Sequence, residues 1–311
     1  MHVFVTGASG WVGSGLVPDL IEHGHTVTAL VRSTASASTV HRAGAEVLHG
    51  TLDDLDILGD AAASADATVH LGFKHDIAFT GNYAQAAHDD RAVIDALAER
   101  LSGTAKALVV ASGVLGVVGV ASGVVATELD GLSAANTAQN AAPTADADRP
   151  ATARYVLSLA EQGIRSSIVR LPPATHGPGD NGFTAIAVAA ARTAGVSAYA
   201  TDGANRWPAV HRDDAATLFR LAAESAPAGT VLHAVAEQGV PIRQVAEAIA
   251  IGLGVAAISV DRSAIGDYLG FLGNFWSTDG PASAEITRDL VGWAPSHATW
   301  LEDLGGEVYF R

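Results

Sequence analysis

Along the first 171 residues, short β-branched runs alternate with longer stretches whose apolar positions recur at helical spacing. Residues 2–6 predict a strand, 11–23 a helix closed by Gly24, and 26–31 a second strand. The pattern continues with a helix near 36–43, a strand at 46–48, a helix near 55–63 and a strand at 67–71. A long helix near 81–101 precedes an apolar strand at 105–111. Strands separated by single helices need right-handed crossovers, and such crossovers build a parallel sheet covered by helices on both faces. Residues 113–150 break the pattern. They are rich in Gly, Ala, Thr and Asn, and predict a long loop over the carboxyl edge of the sheet. Helix resumes at 152–162 and strand at 166–171. Beyond Pro172-Pro173 the order is less regular: helices at 184–193, 213–224 and 242–253, with short extended segments at 197–200 and 230–234. No internal repeat and no clean linker is present. The boundary predicted is a dinucleotide-binding domain at 1–171, joined by segments around 205–235, and a smaller lobe made mainly of 172–311.

Composition narrows the chemistry. Of 311 residues, 49% are apolar, enough for a large core. The formal net charge of −15 argues against binding nucleic acid or an anionic membrane surface, both of which need a basic face. There is no cysteine, which excludes disulfides, thiolate catalysis and cysteine-bound zinc. The amino terminus lacks the pattern of a secretory signal, and the apolar run at 107–129 is broken by glycine and Ser/Thr. A soluble, cytoplasmic chain is expected. The histidines are scattered without metal-ligand spacing, so no metal is expected.

The segment Thr6-Gly7-Ala8-Ser9-Gly10-Trp11-Val12-Gly13 follows the first predicted strand and opens the first helix. In that context Gly7 permits a tight turn, Gly10 lets backbone approach a pyrophosphate, and Gly13 lets helix pack on strand. The G-x-x-G-x-x-G spacing resembles the extended short-chain dehydrogenase/reductase superfamily, whose pattern is T-G-x-x-G-x-x-G. Three further segments resemble it in order. They are Arg170-Leu171-Pro172-Pro173-Ala174-Thr175-His176-Gly177-Pro178-Gly179-Asp180, Val210-His211-Arg212-Asp213-Asp214, and Leu290-Val291-Gly292-Trp293-Ala294-Pro295. The resemblance covers nearly the whole chain. It implies a Rossmann-type, doubly wound α/β fold with a smaller mixed α/β substrate lobe, and a nicotinamide cofactor. It also implies a cofactor site drawn from Gly7, Ser9, Gly10, Trp11, Val12, Gly13, Leu52, Leu71, Gly72, Phe73 and Pro172.

At the end of the second strand, an acidic residue would bind the adenosine ribose 2′-hydroxyl. Here the strand ends Leu30-Val31-Arg32-Ser33, and Arg32 with Ser33 suits a 2′-phosphate, which favours NADP(H). After the third strand, Gly50-Thr51-Leu52-Asp53 retains Leu52 as an adenine wall and leaves the role of the acid open.

The superfamily's usual Tyr-x-x-x-Lys pair is absent. The tyrosines stand at 83, 155, 199, 268 and 309, and none has Lys four residues later. By spacing, the Tyr slot falls near Thr144 or Ala145 and the Lys slot near Asp148 or Arg149. In this respect the chain resembles atypical members that keep the glycine motif and lose the active-site set. Candidate replacements are Ser112 at the end of the fifth strand, Lys74 and His75 after the fourth, and His176 after the sixth. Tyr155 is a further candidate, and Arg206 with Trp207 could wall the substrate, with a core Trp207 as the equal alternative. The leading expectation is an NADPH-dependent oxidoreductase acting on a small carbonyl or alcohol with a non-standard proton donor. A non-catalytic NADP(H)-binding sensor and a sugar-nucleotide epimerase or dehydratase are the alternatives. The helices near 81–101 and 152–162 resemble those with which members of the superfamily pair, which implies a homodimer.

Overall fold

The computed structural model describes residues 1–78, 81–115, 117, 121, 123–132 and 151–310, and the backbone of 149 and 150. In β1 (His2–Thr6), Val3 and Val5 turn to one face and Phe4 to the other, and all three are buried. Apolar residues on both faces suit a strand covered on both sides. The same holds through β2 (Thr26–Val31), β4 (Ala67–His70), β5 (Ala107–Gly113) and β6 (Arg165–Leu171), while the edge strand β3 (Glu46–His49) has only Val47 and Leu48 partly buried. After β7 (Ala174–His176), β8 (Val196–Ala200) and β9 (Arg206–His211), the chain returns to the large sheet as β10 (Thr230–His233). The sheet has seven strands in the order β10-β6-β5-β4-β1-β2-β3, every neighbouring pair parallel. It is the doubly wound α/β fold that the resemblance implies.

The described α-helices in chain order are α1 (Gly13–Glu22), α2 (Thr34–Arg42), α3 (Leu55–Ser64), α4 (His75–Ala78), α5 (Tyr83–Leu101), α6 (Arg149–Ser158), α7 (Phe183–Ala194), α8 (Arg212–Ser225), α9 (Ile242–Leu253), and the short α10 (Ile265–Leu269), α11 (Leu272–Trp276), α12 (Glu285–Val291) and α13 (Trp300–Gly305). α1 and α8 bury Leu16, Leu20, Leu218 and Phe219 on the Val3 face. α3, α5 and α6 bury Leu58, Ile94, Leu97 and Val156 on the Phe4 face. α1 begins two residues later than the pattern predicts, because residues 10–12 belong to the turn, where Gly10 N–H donates to Gly7 O at 2.9 Å.

The smaller lobe has its own core around Trp207, Trp276 and Trp300, all fully buried, with the Trp207 and Trp276 rings edge-on at 5.1 Å. It contains a β11-β9-β7 sheet, with β11 at Glu237–Pro241, and a β12-β8 pair, with β12 at Ala256–Val260. Four of these five strands were absent from the sequence pattern. β7 is three residues long, and β9 carries Arg206, Pro208 and His211, so neither shows a β-rich run. Among the described residues, no helix is long and apolar enough to cross a membrane.

Candidate nucleotide-binding cleft

The strand order reverses between β1 and β4, which leaves a crevice at their carboxyl ends. The glycine turn stands there. Gly7 has φ +68°, and a Cβ on it would meet Gly72 N at 2.8 Å, so only glycine allows the turn to lie against the β4 loop. A Cβ on Gly13 would come within 2.2 Å of Gly7 O, which is the close helix–strand approach that the spacing predicts. Gly10 differs. Its Cβ would meet only Gly7 O, at 3.1 Å, and Gly10 lines the cleft. The turn that leads into the amino end of α1 thus borders a space that a diphosphate can enter.

A buried polar chain holds the turn. Thr6 Oγ1 accepts from Gly72 N–H at 3.1 Å and lies 2.7 Å from His70 Nδ1, and His70 Nε2 lies 3.2 Å from Asp90 Oδ1. A carboxylate only accepts, so Nε2 carries the proton and Nδ1 accepts from Thr6. Sequence reasoning missed this chain. Thr6 and His70 are 64 residues apart, and only the β1–β4 register makes them neighbours.

The cleft has a volume of about 1200 Å³. Of the expected cofactor residues, Gly7, Ser9, Gly10, Trp11, Val12, Gly13, Arg32, Leu52, Leu71, Gly72, Phe73 and Pro172 line it. Ser33 does not. It is the N-cap of α2, where its Oγ accepts Ser36 N–H at 3.1 Å, a role for which an extended Ser is well suited. Arg32 is 77% exposed at the rim, and its 3.8 Å approach to the exposed Asp76 holds it only weakly. Trp11 Nε1 donates to Thr175 O at 2.8 Å, tying the turn to the second lobe.

The candidate catalytic residues are divided. Ser112, Lys74 and His75 line the cleft. Ser112 pairs in register with Arg170, which pairs with His233, so the three share one face at the carboxyl edge. Arg170 Nη1 donates to Asp130 O at 2.9 Å and lies 3.2 Å from His233 Nε2. Burial and the Arg170 charge push the His233 pKa down to about 4, which keeps it a neutral acceptor. Lys74 reaches toward β3 instead, held by Asp53 Oδ1 at 2.6 Å and Asp89 Oδ2 at 2.7 Å. Partial burial pulls its pKa down, but these two hydrogen bonds outweigh it and the net shift is upward. An ammonium so held is a weaker acid. The Asp53 left without a role in the sequence finds one here.

His176 corrects an expectation. The sequence offers it as a candidate replacement for the missing proton donor, yet it is 0% exposed in β7 and does not line the cleft. Its Nδ1 is 2.6 Å from Asp303 Oδ2, and burial, partly offset by that carboxylate, pushes its pKa down. The cause is the β7–β9 pairing, which turns the segment into the second lobe's core. Arg206 is corrected in the same way, and Trp207 takes its core alternative. Arg206 forms a fork with both oxygens of Asp279, and Trp207 is fully buried. Tyr155 lies under Arg91, whose guanidinium is 3.3 Å from the ring centre, and it does not line the cleft. The Tyr and Lys slots at Thr144, Ala145 and Asp148, and the side chain of Arg149, lie outside the described residues.

The other resembling segments meet in space. Trp293 Nε1 donates to Asp214 O at 2.9 Å, and Asp214 accepts from Ser296 N–H at 2.9 Å. Residues 3–235 match the family model described as "NAD dependent epimerase/dehydratase family". The chain belongs to that family. It is accordingly an oxidoreductase- or epimerase-type enzyme of a family that works with a nicotinamide cofactor. This epimerase/dehydratase-family chain is 41% identical over 310 residues to an uncharacterised protein of Schizosaccharomyces pombe, covering all of both chains. It is 29% identical to a 3-diazoavenalumate denitrifying reductase of a Streptomyces species, over 99% of this chain and 100% of the other. Among solved structures it resembles UDP-glucose 4-epimerase of Thermotoga maritima with a TM-score of 0.73 at 18% identity, over 100% and 98% of the two chains. At that identity the likeness concerns the fold.

Proposed function

We propose that the chain is an NADPH-dependent oxidoreductase that interconverts a small carbonyl compound and its alcohol. The observation that carries the reading is the glycine turn at the β1–β4 reversal, together with Arg32 at the end of β2, where the strand end itself carries no acid and the exposed Asp76 at 3.8 Å holds it only weakly. The residues present fit a dinucleotide. Gly10 leaves room for the diphosphate, Leu52 and Gly72 flank the adenosine end, and the exposed Arg32 would pair with a 2′-phosphate. When bound, the nicotinamide supplies the hydride that reduces the carbonyl carbon, or takes one up in the reverse direction.

Ser112 is the group for the reacting oxygen. Its hydroxyl ends β5 in the cleft, and it would donate a hydrogen bond to a carbonyl and to the alkoxide that develops. Arg170, on the same face, adds positive charge behind it. With Lys74 held by two carboxylates, solvent supplies the proton, and the exposed His75 at the mouth can exchange protons with it. The full-length likeness to a protein named as a reductase supports redox turnover over epimerisation.

The test is NADPH fluorescence on mixing with the protein, followed by its decay on adding ketones and aldehydes. Binding with decay is expected. Binding without decay across the panel would favour a non-catalytic sensor. Binding of NADH in preference to NADPH would overturn the role of Arg32.

A further inference from the structure

Beyond the dinucleotide half, the cleft changes character. Its far wall is built from Leu115, Val117, Phe183, Ile186 and Phe275. The Phe183 and Phe275 rings lie 5.6 Å apart at 31°, and Phe275 is 42% exposed although a large buried core lies directly behind it. An aromatic ring left facing water inside a concave site is available for an apolar ligand.

The charges point the same way. Among the described residues lining the cleft, the cations are Arg32, Lys74 and Arg170. Arg32 belongs to the adenosine end. Lys74 is neutralised by Asp53 and Asp89. Arg170 is buried against Asp130 O and His233. Arg206 is spent on Asp279, bonded through its backbone N–H and its guanidinium. The sequence contains no Lys, Arg or His from Ala107 to Asp148. A second diphosphate in the substrate half would meet apolar walls and no uncommitted cation among the described lining residues, and an unpaired buried charge is costly.

We infer that the substrate half takes an uncharged carbonyl compound with a flat aromatic body, which stacks on Phe275 and Phe183 while its oxygen meets Ser112, and that it rejects nucleoside diphosphate sugars. The inference rests on the proposed function, since it presumes that a dinucleotide fills the glycine-turn half. Asn181, also in the lining, supplies a neutral hydrogen-bonding group beside the aromatic wall.

The experiment is calorimetric titration of the protein saturated with NADP+, the oxidised form, which cannot reduce a ketone. The probes are acetophenone, 4-phenyl-2-butanone and UDP-glucose. At least one aromatic ketone should saturate at or below about 1 mM, the upper end of ordinary substrate affinities, and UDP-glucose should not. Phe275→Ala should weaken that ketone about tenfold and leave NADP+ affinity unchanged. Phe275 is exposed, so the variant should fold, and its melting temperature checks this. Saturation by UDP-glucose, failure of both ketones, or a Phe275→Ala variant that binds ketone like the parent would each overturn the inference. The preceding NADP+ titration reads the proposed function separately. If it shows no binding, that function fails, and ketone titration of the protein alone still reads the aromatic wall.

Discussion

Ser112 and Lys74 illustrate how two polar residues at neighbouring strand ends acquire different prospects. Ser112 stands on the cleft without a side-chain hydrogen bond to another described residue, so its hydroxyl is available to a ligand. Lys74 is committed to two carboxylates. Ser112→Ala is therefore expected to lower kcat about tenfold or more while NADPH affinity stays unchanged, as stopped-flow turnover and fluorescence titration would measure. Lys74→Ala should leave the pH profile of kcat in place, because the ammonium is not the proton donor. A lost alkaline limb in that variant would refute this. Arg32→Ala should weaken NADPH about tenfold or more relative to NADH, the ordinary magnitude for a lost charge-assisted contact to phosphate. The place of Arg32 at the cleft rim follows from its position at a strand end. Ser33 was misread because capping and phosphate binding ask for the same residue type, and only the direction of its hydroxyl separates them.

At the scale of elements, the β1–turn–α1 unit is held by backbone approach, and its glycines are not equivalent. Gly13→Ala would drive a Cβ into backbone oxygens at 2.2 and 2.7 Å, so it should destabilise the protein by about 1–3 kcal/mol or more, as thermal unfolding would show. Gly10→Ala has only the one 3.1 Å contact, so it should melt near the parent and lose dinucleotide affinity. Equal loss of stability in both variants would contradict this division. The regular βα units were legible because the inner strands are buried on both faces and the helices carry an apolar stripe. The short strands β7, β9, β11 and β12 were not. Their pairing partners lie elsewhere in the chain, and their composition is set by the second core they close.

For the whole molecule, stability should depend on pH through the buried histidines. His233 is held neutral, with its pKa lowered from 6.5 to about 4. Unfolding frees it to take up a proton below its ordinary pKa, so its contribution is complete above pH 6.5 and is lost as pH falls toward 4. Asp180 and Glu237 work in the opposite direction, since burial raises their pKa values. The comparison that isolates the histidine is His233→Gln. The melting-temperature gap between the parent and this variant should be widest at pH 7.5 and should narrow as pH falls to 5. A constant gap would show that protonation of His233 is not linked to folding. We also expect the chain to sediment as a homodimer through α5 and α6, and a monomer at micromolar concentration would refute that. By itself the sequence determined the parallel sheet, the glycine turn and the absence of the Tyr-x-x-x-Lys pair, because these follow from local periodicity, spacing and residue counts. Tertiary structure alone decided that His176 and Trp207 are core, that Arg206 belongs to Asp279 and Lys74 to Asp53 and Asp89, and that Phe275 faces the cleft. Those outcomes depend on which distant partners share a face once the chain is packed. No local pattern encodes the distance from Thr6 to His70 or from Arg206 to Asp279.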